Sequence, residues 1–419
     1  MLKRFAFTTA SLLCGAGLLF AAGTYTKTTE PFETLASYRV SGQVAEIAAA
    51  SPDGLTLAYT DSKSREIGWV DLQDPAKPRE LATFKTGGEP TSVAYTRDGK
   101  WVLAAIKGNP ARLAVLDSKT YRLQRDLKFN GQPDCVAVSP DGRFAAVAVE
   151  NERQNADAPM PQSPAGYLLI VDLEGQPAQW QTRRVNLTGL PIRFPTDPEP
   201  EYISINAQNE AAVTLQENNA VAIVALETGK ILEVWDCGTT SHPADLQKDG
   251  EMKLTDQLVD ARREPDGIAW TPQGNLITAN EGDYDLDLEK KRHQFVGGRN
   301  FTIFTRKGEV VFDSGDELER MAVAAGAYDD DRSKKKGIEP EGVAVWRQGE
   351  QKLAFIACER AMGGALYDIG DERAPRFLQW LTTGSEPEGV VAIPQRNLLV
   401  TANEGNGTIS LFLGKKIAP

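Results

Sequence analysis

Histidine is nearly missing from this chain of 419 residues: there are two, His242 and His293. Neither stands in an H-x-x-x-H or H-E-x-x-H spacing, which excludes the helical zinc-hydrolase motifs. Cysteine is scarce too, with four in all. Cys14 falls in an apolar leader. Cys135, Cys237 and Cys358 are odd in number and widely spaced, which excludes a disulfide framework. One bridge plus a free thiol, or three buried thiols, both fit that count. No G-x-S-x-G elbow occurs, so nucleophilic serine chemistry has no support. No P-loop or dinucleotide glycine pattern is present. Positive charge is in deficit, with 46 Lys and Arg against 58 Asp and Glu and a net charge of −12. An acidic surface argues against a nucleic acid as partner and is compatible with cations.

Long apolar runs are absent beyond the N-terminus. There, Lys3 and Arg4 precede an apolar stretch over 5–22, and the small residues Ala21, Ala22 and Gly23 follow. This reads as an export signal over 1–23, cleaved near 22–24 and followed by one domain over 24–419. An uncleaved anchor is the alternative. The stretch is short and rich in Gly, Ser and Thr for a membrane span, so no integral membrane segment is expected after cleavage. Leu13 stands before Cys14 where a lipoprotein signal needs a small residue. The expected location is periplasmic or secreted, and the expected state is a monomer.

What the chain has in plenty is repetition. Six times a proline is followed by an acid or its stand-in and then an apolar run: Pro90-Thr91, Pro133-Asp134, Pro200-Glu201, Pro265-Asp266, Pro340-Glu341 and Pro387-Glu388. Turn signals such as Ser51-Pro52-Asp53-Gly54, Ser139-Pro140-Asp141-Gly142 and Thr271-Pro272-Gln273-Gly274 lie between paired apolar runs, as hairpins require. Seven such hairpins, roughly 45 to 75 residues apart, mean seven supersecondary units. Third strands are predicted at 67–72, 113–116, 167–173, 221–226, 301–304, 364–369 and 408–412. Fourth strands are predicted at 79–85, 122–129, 180–187, 230–235, 309–313 and 376–381. The seventh unit lacks a fourth strand, and the segment 32–40 resembles the first unit's fourth strand at 78–86. The pattern predicts an all-β fold, a seven-bladed β-propeller closed by an N-terminal strand in the last blade. Two packed β domains would leave that lone N-terminal strand unexplained.

Strand direction then places the acids. The proline–acid motif opens the first strand of a blade, and a second acid closes the next strand about fifteen residues later. Antiparallel pairing puts both on one face of the disc near its axis. Asp134, Glu201, Asp266, Glu341 and Glu388 come from strand starts, and Glu150, Glu217, Glu281, Glu359 and Glu404 from strand ends. Blade one lacks the motif, and blade two carries Thr91 in place of the acid. Five long connections, 151–166, 188–198, 236–263, 282–300 and 314–338, belong to the same face and suggest walls around the acidic centre. Crowded carboxylates need compensation, by arginine, backbone N–H groups or metal. Oxygen-rich, irregular sites suit calcium. The expected cation ligands are Glu201, Glu217, Asp266, Glu281, Asp283, Glu341, Glu359, Glu388 and Glu404. The plainer reading is that each acid caps neighbouring backbone N–H groups, repeated because the units repeat.

Several of these runs together resemble one family. Pro200-Glu201-Tyr202-Ile203, Gln216-Glu217-Asn218, Asn280-Glu281-Gly282-Asp283, Gly297-Gly298-Arg299-Asn300, Asp313-Ser314-Gly315, Pro340-Glu341-Gly342, Glu359-Arg360 and Asn403-Glu404-Gly405 occur in the order seen in choice-of-anchor I proteins. The resemblance spans roughly residues 51–413 and implies a secreted or surface seven-bladed propeller. Relatives carry labels such as alkaline phosphatase, phytase-like esterase and mesenchyme-specific cell-surface glycoprotein. Two runs depart from the pattern: 332–337 is basic where relatives are acidic, and Tyr284-Asp285 stands where relatives have Arg and Tyr. No sorting tail follows Leu413, which predicts a protein free in its compartment.

Two functions follow. One is a metal-dependent phosphoric-ester hydrolase, in which metal with Arg299 or Arg360 holds the phosphate of a small molecule and Glu281 or His293 moves protons. The other is a non-catalytic module that uses the same face for a ligand or protein partner.

Overall fold

The computed structural model describes residues 30–151, 161–282, 284–287, 292–295 and 297–415. The export signal expected over 1–23 lies outside the described residues. Seven four-stranded antiparallel sheets succeed one another along the chain. Blade one comprises Ala48–Ala50, Thr56–Asp61, Glu66–Asp71 and Arg79–Lys85. Blade four comprises Pro200–Ile205, Glu210–Leu215, Ala220–Ala225 and Lys230–Asp236. Blade seven runs Pro387–Ile393, Leu398–Asn403 and Thr408–Gly414, and its outer strand is the N-terminal Phe32–Arg39. The closing strand falls where the repeat of 78–86 placed it. It pairs with Thr408–Gly414 from Phe32↔Gly414 to Arg39↔Thr408, with an irregularity between Thr34 and Ala36.

The second and third strands of the blades are buried on both faces, and they read as unbroken runs of Val, Ile, Leu and Ala, as Phe144–Glu150 does. Fourth strands lie at the rim and alternate; Arg79–Lys85 is largely exposed. Apolar residues from adjacent blades form the cores between sheets, as where blades three and four share Ala146, Leu168, Val213 and Ala222. Cys135, Cys237 and Cys358 are buried free thiols, which settles the count in favour of no bridge among them. Among the described residues, no helix is long and apolar enough to cross a membrane.

The proline–acid motif has a structural meaning. In blades three to seven the pairing of strands one and two slips between the proline and the residue three places on, at Pro133/Val136, Pro200/Ile203, Pro265/Ile268, Pro340/Val343 and Pro387/Val390. Each acid therefore sits in a β-bulge, which bends the strand and re-aims the side chain. The glycine after the acid allows close approach of the next blade. A Cβ on Gly342 would collide with the Glu388 carbonyl, and one on Gly389 with the Glu46 carbonyl. Instead, the Gly389 N–H donates to that Glu46 oxygen at 2.9 Å.

Candidate functional site

That last contact closes the ring of acids as well as the ring of blades. Glu46 occupies in blade one the place of Glu388 in blade seven. The sequence offered little sign of it, because Ala45 stands where the other blades have proline. Strand starts thus bring six carboxylates to one mouth of the channel: Glu46, Asp134, Glu201, Asp266, Glu341 and Glu388. Thr91 fills the seventh place and donates its hydroxyl to the Pro133 carbonyl at 2.9 Å.

The mouth is a well of about 260 Å³ whose walls include Asp134, Glu150, Glu201, Glu217, Asp266 and Glu388. Lys107 and Lys336 stand in the same wall, and Tyr202 contributes an aromatic face. Tyr202 replaces the glycine of blades five to seven. A larger hollow of about 940 Å³ lies on the opposite face between blades three and four. Its charges pair with each other, Arg143 with Glu227 at 3.0 Å and Arg183 with Asp172 at 3.1 Å, so the carboxylate well is the stronger candidate.

Burial and mutual repulsion raise the acids of the well together. Burial first, then Glu217 and Asp266, holds the Glu201 carboxyl well above the usual range. Asp266 is raised by burial and by Glu281, Glu341 by burial and Glu359, and Glu388 by burial and Glu46. Burial pushes Glu46 up to about 7 and Glu359 up to about 8, and the like charges of Glu404 and Glu339, respectively, add to the rise. Glu281 is raised by burial despite the Lys336 ammonium at 2.5 Å. Its other oxygen accepts from the Gln216 amide at 2.5 Å. Lys336 comes from the basic run 332–337, so that run puts a cation directly on the acidic centre.

Of the expected ligands, Asp266, Glu281 and Glu341 come together closely: one carboxylate oxygen from each lies within 4.8 Å of the others. Glu201, Glu217 and Glu388 share the well, while Asp283 lies outside the described residues. Glu359 and Glu404 form a separate group with Glu386. That group is already compensated. Arg360 meets Glu359 at 3.0 Å and also meets Glu386, and Lys63 meets Glu404 at 3.1 Å. Arg360 further binds Glu339 at 2.6 Å, so carboxylates surround its guanidinium.

Arg299 is not in the well. Its side chain is 1% exposed and pairs with the fully buried Glu319 at 3.2 Å. It also donates to the carbonyls of Asp245, at 3.0 Å, Ser333, at 2.9 Å, and Lys335. A left-handed backbone at Arg299 (φ 51°) turns the chain as it leaves the 282–300 insertion. These contacts staple three insertions to one another. Among the described residues, three of the insertions carry regular structure. The 236–263 connection forms a hairpin, Thr239–Ala244 with Asp256–Arg262. The 282–300 connection forms another, Tyr284–Asp287 with Arg292–Phe295, and His293 lies in its second strand, opposite Leu286. The 314–338 connection carries the helix Glu317–Ala324. His242 is buried, and its two ring nitrogens lie 2.7 Å from the carbonyl oxygens of Pro243 and Gly298.

Fold and site together define a closed seven-bladed propeller whose insertion-bearing mouth is a carboxylate well. The chain belongs to the choice-of-anchor I family, whose domain model matches residues 46–294 and 287–372. Choice-of-anchor domains are typically extracellular or surface-associated. No curated protein matches the chain significantly in sequence. Among solved structures it is similar to hydrazine synthase of Kuenenia stuttgartiensis, at 14% identity and a TM-score of 0.58 over 95% of this chain and all of that one. It is also similar to the β-propeller domain of Cps50 (Swd1) from Myceliophteria thermophila, at 12% identity and a TM-score of 0.57 over 92% of this chain and 100% of that one. A catalytically inactive virginiamycin B lyase from Staphylococcus aureus with quinupristin is 13% identical, with a TM-score of 0.58 over 91% of this chain and 99% of that one. At such identities the likeness is one of fold alone.

Proposed function

We propose that this is an extracytoplasmic, non-catalytic binding propeller whose well takes a hard divalent cation, calcium being the best chemical match. The observation that carries this reading is the convergence of Asp266, Glu281 and Glu341, with oxygens within 4.8 Å of one another, inside a larger ring of raised carboxylates. Carboxylate-only ligands select hard cations, and calcium accepts irregular oxygen geometry. The cation would organise the mouth for a ligand or partner protein held between the insertions. The leader, with Lys3 and Arg4 before an apolar stretch, supports export.

Calorimetric titration of the full chain tests the reading. Calcium should bind, and Asp266→Asn or Glu341→Gln should weaken binding by about tenfold or more, roughly 1.4 kcal/mol. Lys336→Met should tighten it, since Lys336 competes for Glu281. No uptake by the native chain, or a Lys336→Met variant that binds more weakly, would overturn the assignment. A second reading, phosphoric-ester hydrolysis, is favoured only by the presence of Lys107 and Lys336 in the same wall, where an ammonium could meet a phosphoryl oxygen. Turnover of p-nitrophenyl phosphate or its diester with calcium, lost in Glu281→Gln, would establish it over the non-catalytic one.

The raised carboxyls also fix the sign of a pH effect. A group raised on folding holds more protons in the native state, so its stabilisation is full below its unfolded pKa and fades as pH climbs through the folded one. For Glu46 and Glu359 that window ends at about 7 and about 8. In EDTA the melting temperature should therefore fall as pH rises across this window. Calcium should restore it most strongly at the alkaline end, with protons released on binding. A calcium effect independent of pH would contradict this linkage.

A further inference from the structure

The first strand of the 236–263 hairpin alternates: Ser241 is exposed, while Thr240, His242 and Ala244 are buried. Alternation thus drives an imidazole into the interior, where it is 5% exposed. Both ring nitrogens meet carbonyl oxygens at 2.7 Å, Nδ1 that of Pro243 and Nε2 that of Gly298. Carbonyl oxygens only accept, and a neutral imidazole donates through one nitrogen alone. In either neutral tautomer the second nitrogen would turn its lone pair on an oxygen 2.7 Å away. Only the imidazolium, with a proton on each nitrogen, satisfies both contacts.

Burial opposes that charge, so the surroundings have to support it. The helix Glu317–Ala324 supplies Glu319, which is 0% exposed and whose Oε2 has no hydrogen-bond partner among the described residues. Burial raises the Glu319 carboxyl, and the charges of Arg299 and then His242 pull it back down. The other acids around the ring are already engaged. Asp313 and Asp316 flank Gly315, where a Cβ would stand 3.7 Å from that of His242. Asp313 meets Arg263 at 2.6 Å and accepts from Asn300 at 2.7 Å, and Asp316 meets Arg320 at 3.1 Å. On the hairpin itself Asp245 accepts the N–H groups of Gln247 and Lys253, and Asp256 accepts that of Leu246.

Pro243 is the next residue in the chain, but Gly298 belongs to another insertion, so the Nε2 contact ties two insertions together. The tie lies close to the well. Gly297, the neighbour of Gly298, packs so tightly on Gly282 that a Cβ there would overlap the Gly297 Cα, and Gly282 follows Glu281.

We propose that His242 is a pH-sensitive latch, closed as an imidazolium between the 236–263 and 282–300 insertions and opened by loss of one ring proton. A contact that needs the bound proton is present on the acid side and is lost as pH rises. The latch acts on the mouth whether or not a cation occupies the well. Long-range proton–nitrogen NMR of the full chain with labelled histidine tests it, His293→Gln leaving a single ring to observe. At pH 7.5, where a free imidazole is mostly neutral, both nitrogens of His242 should carry protons and resonate close together. Two widely separated nitrogen signals, the mark of a neutral ring, would overturn the proposal. Hydrogen exchange gives the consequence. After correction for intrinsic rates, and relative to the core strand Ala220–Ala225, exchange in the hairpin should be about tenfold faster at pH 9.5 than at pH 6, the worth of one hydrogen bond to a charged group. The His242→Gln amide can donate to one carbonyl but carries no charge, and should abolish that difference. A native hairpin whose relative exchange does not change with pH, or a difference that survives in His242→Gln, would also overturn it.

Discussion

A chain lacking residues 1–39 should fail to form a closed, cooperatively melting propeller. The missing strand is the outer strand of blade seven, paired along Thr408–Gly414. Its loss exposes the backbone edge of that strand, a template for association with other chains. It also removes Phe32, which is 3% exposed and packs edge-on to Trp346 with ring centroids 5.2 Å apart. The Gln379 side chain binds the Phe32 backbone from both sides, accepting its N–H at 3.1 Å and donating to its carbonyl at 3.0 Å. Phe32→Ala alone should lower stability by about 3–5 kcal/mol. The truncation should do more, giving aggregation in size-exclusion chromatography and a broad or absent calorimetric transition. A peptide spanning residues 30–40, added in trans, should restore a sharp one. A truncated chain that stays monomeric and melts within about 1 °C of the native one, about 1 kcal/mol for a chain of this size, would refute closure by this strand.

The fold was legible because it is repetitive, and a repeat offers several copies of each signal. The third strand predicted at 221–226 falls on Ala220–Ala225, and the fourth predicted at 79–85 falls on Arg79–Lys85. The acid ring was legible for the same reason, and antiparallel pairing alone put Glu201 and Glu217 at one mouth. What the sequence hid were the members that break the repeat. Glu46 follows Ala45, and its blade-one strand, Ala48–Ala50, is short, so no motif announces it. Asp197 lies two residues before a visible motif glutamate, and only the folded chain shows the two carboxyls facing one another.

The cations were the least legible part. Arg299, Arg360 and Lys336 all occur in acid-rich surroundings, but the direction of a long side chain depends on partners far along the chain. Arg299 is grouped by its motif with Asn300, yet its carbonyl partners Asp245 and Ser333 lie in two other insertions. Lys336, in a run that departs from the family pattern, is the cation that reaches Glu281. The well is acidic because the repeat places a strand-start carboxylate in six of the seven blades, while Lys336, the cation on Glu281, comes from an insertion that does not repeat. Binding at the well therefore depends on how the insertions are held.

Arg299→Met should accordingly act on stability as well as on the well. The guanidinium and the Glu319 carboxylate are both buried, 1% and 0% exposed, and Glu319 also accepts from the Tyr328 hydroxyl at 3.2 Å. Burial raises Glu319 and the Arg299 charge pulls it back down, so removing the arginine leaves an uncompensated buried acid. Breaking such a pair on one side lowers stability by about 3–5 kcal/mol. Glu319→Gln should be milder, because the amide keeps an acceptor for Tyr328. In the double variant the two losses should fall short of their sum by about 1–3 kcal/mol, the signature of groups in direct contact. Urea denaturation of the full chain measures all three. The same variant separates two roles for Arg299. A residue that held a ligand's phosphate would weaken phosphate-ester binding and leave the unfolding midpoint in place. A staple moves the midpoint, and calcium affinity at the well should rise as it falls, because the Ser333 and Lys335 carbonyls that Arg299 binds hold Lys336, the cation that competes for Glu281. An unchanged midpoint in Arg299→Met would show that the insertions are held by other contacts.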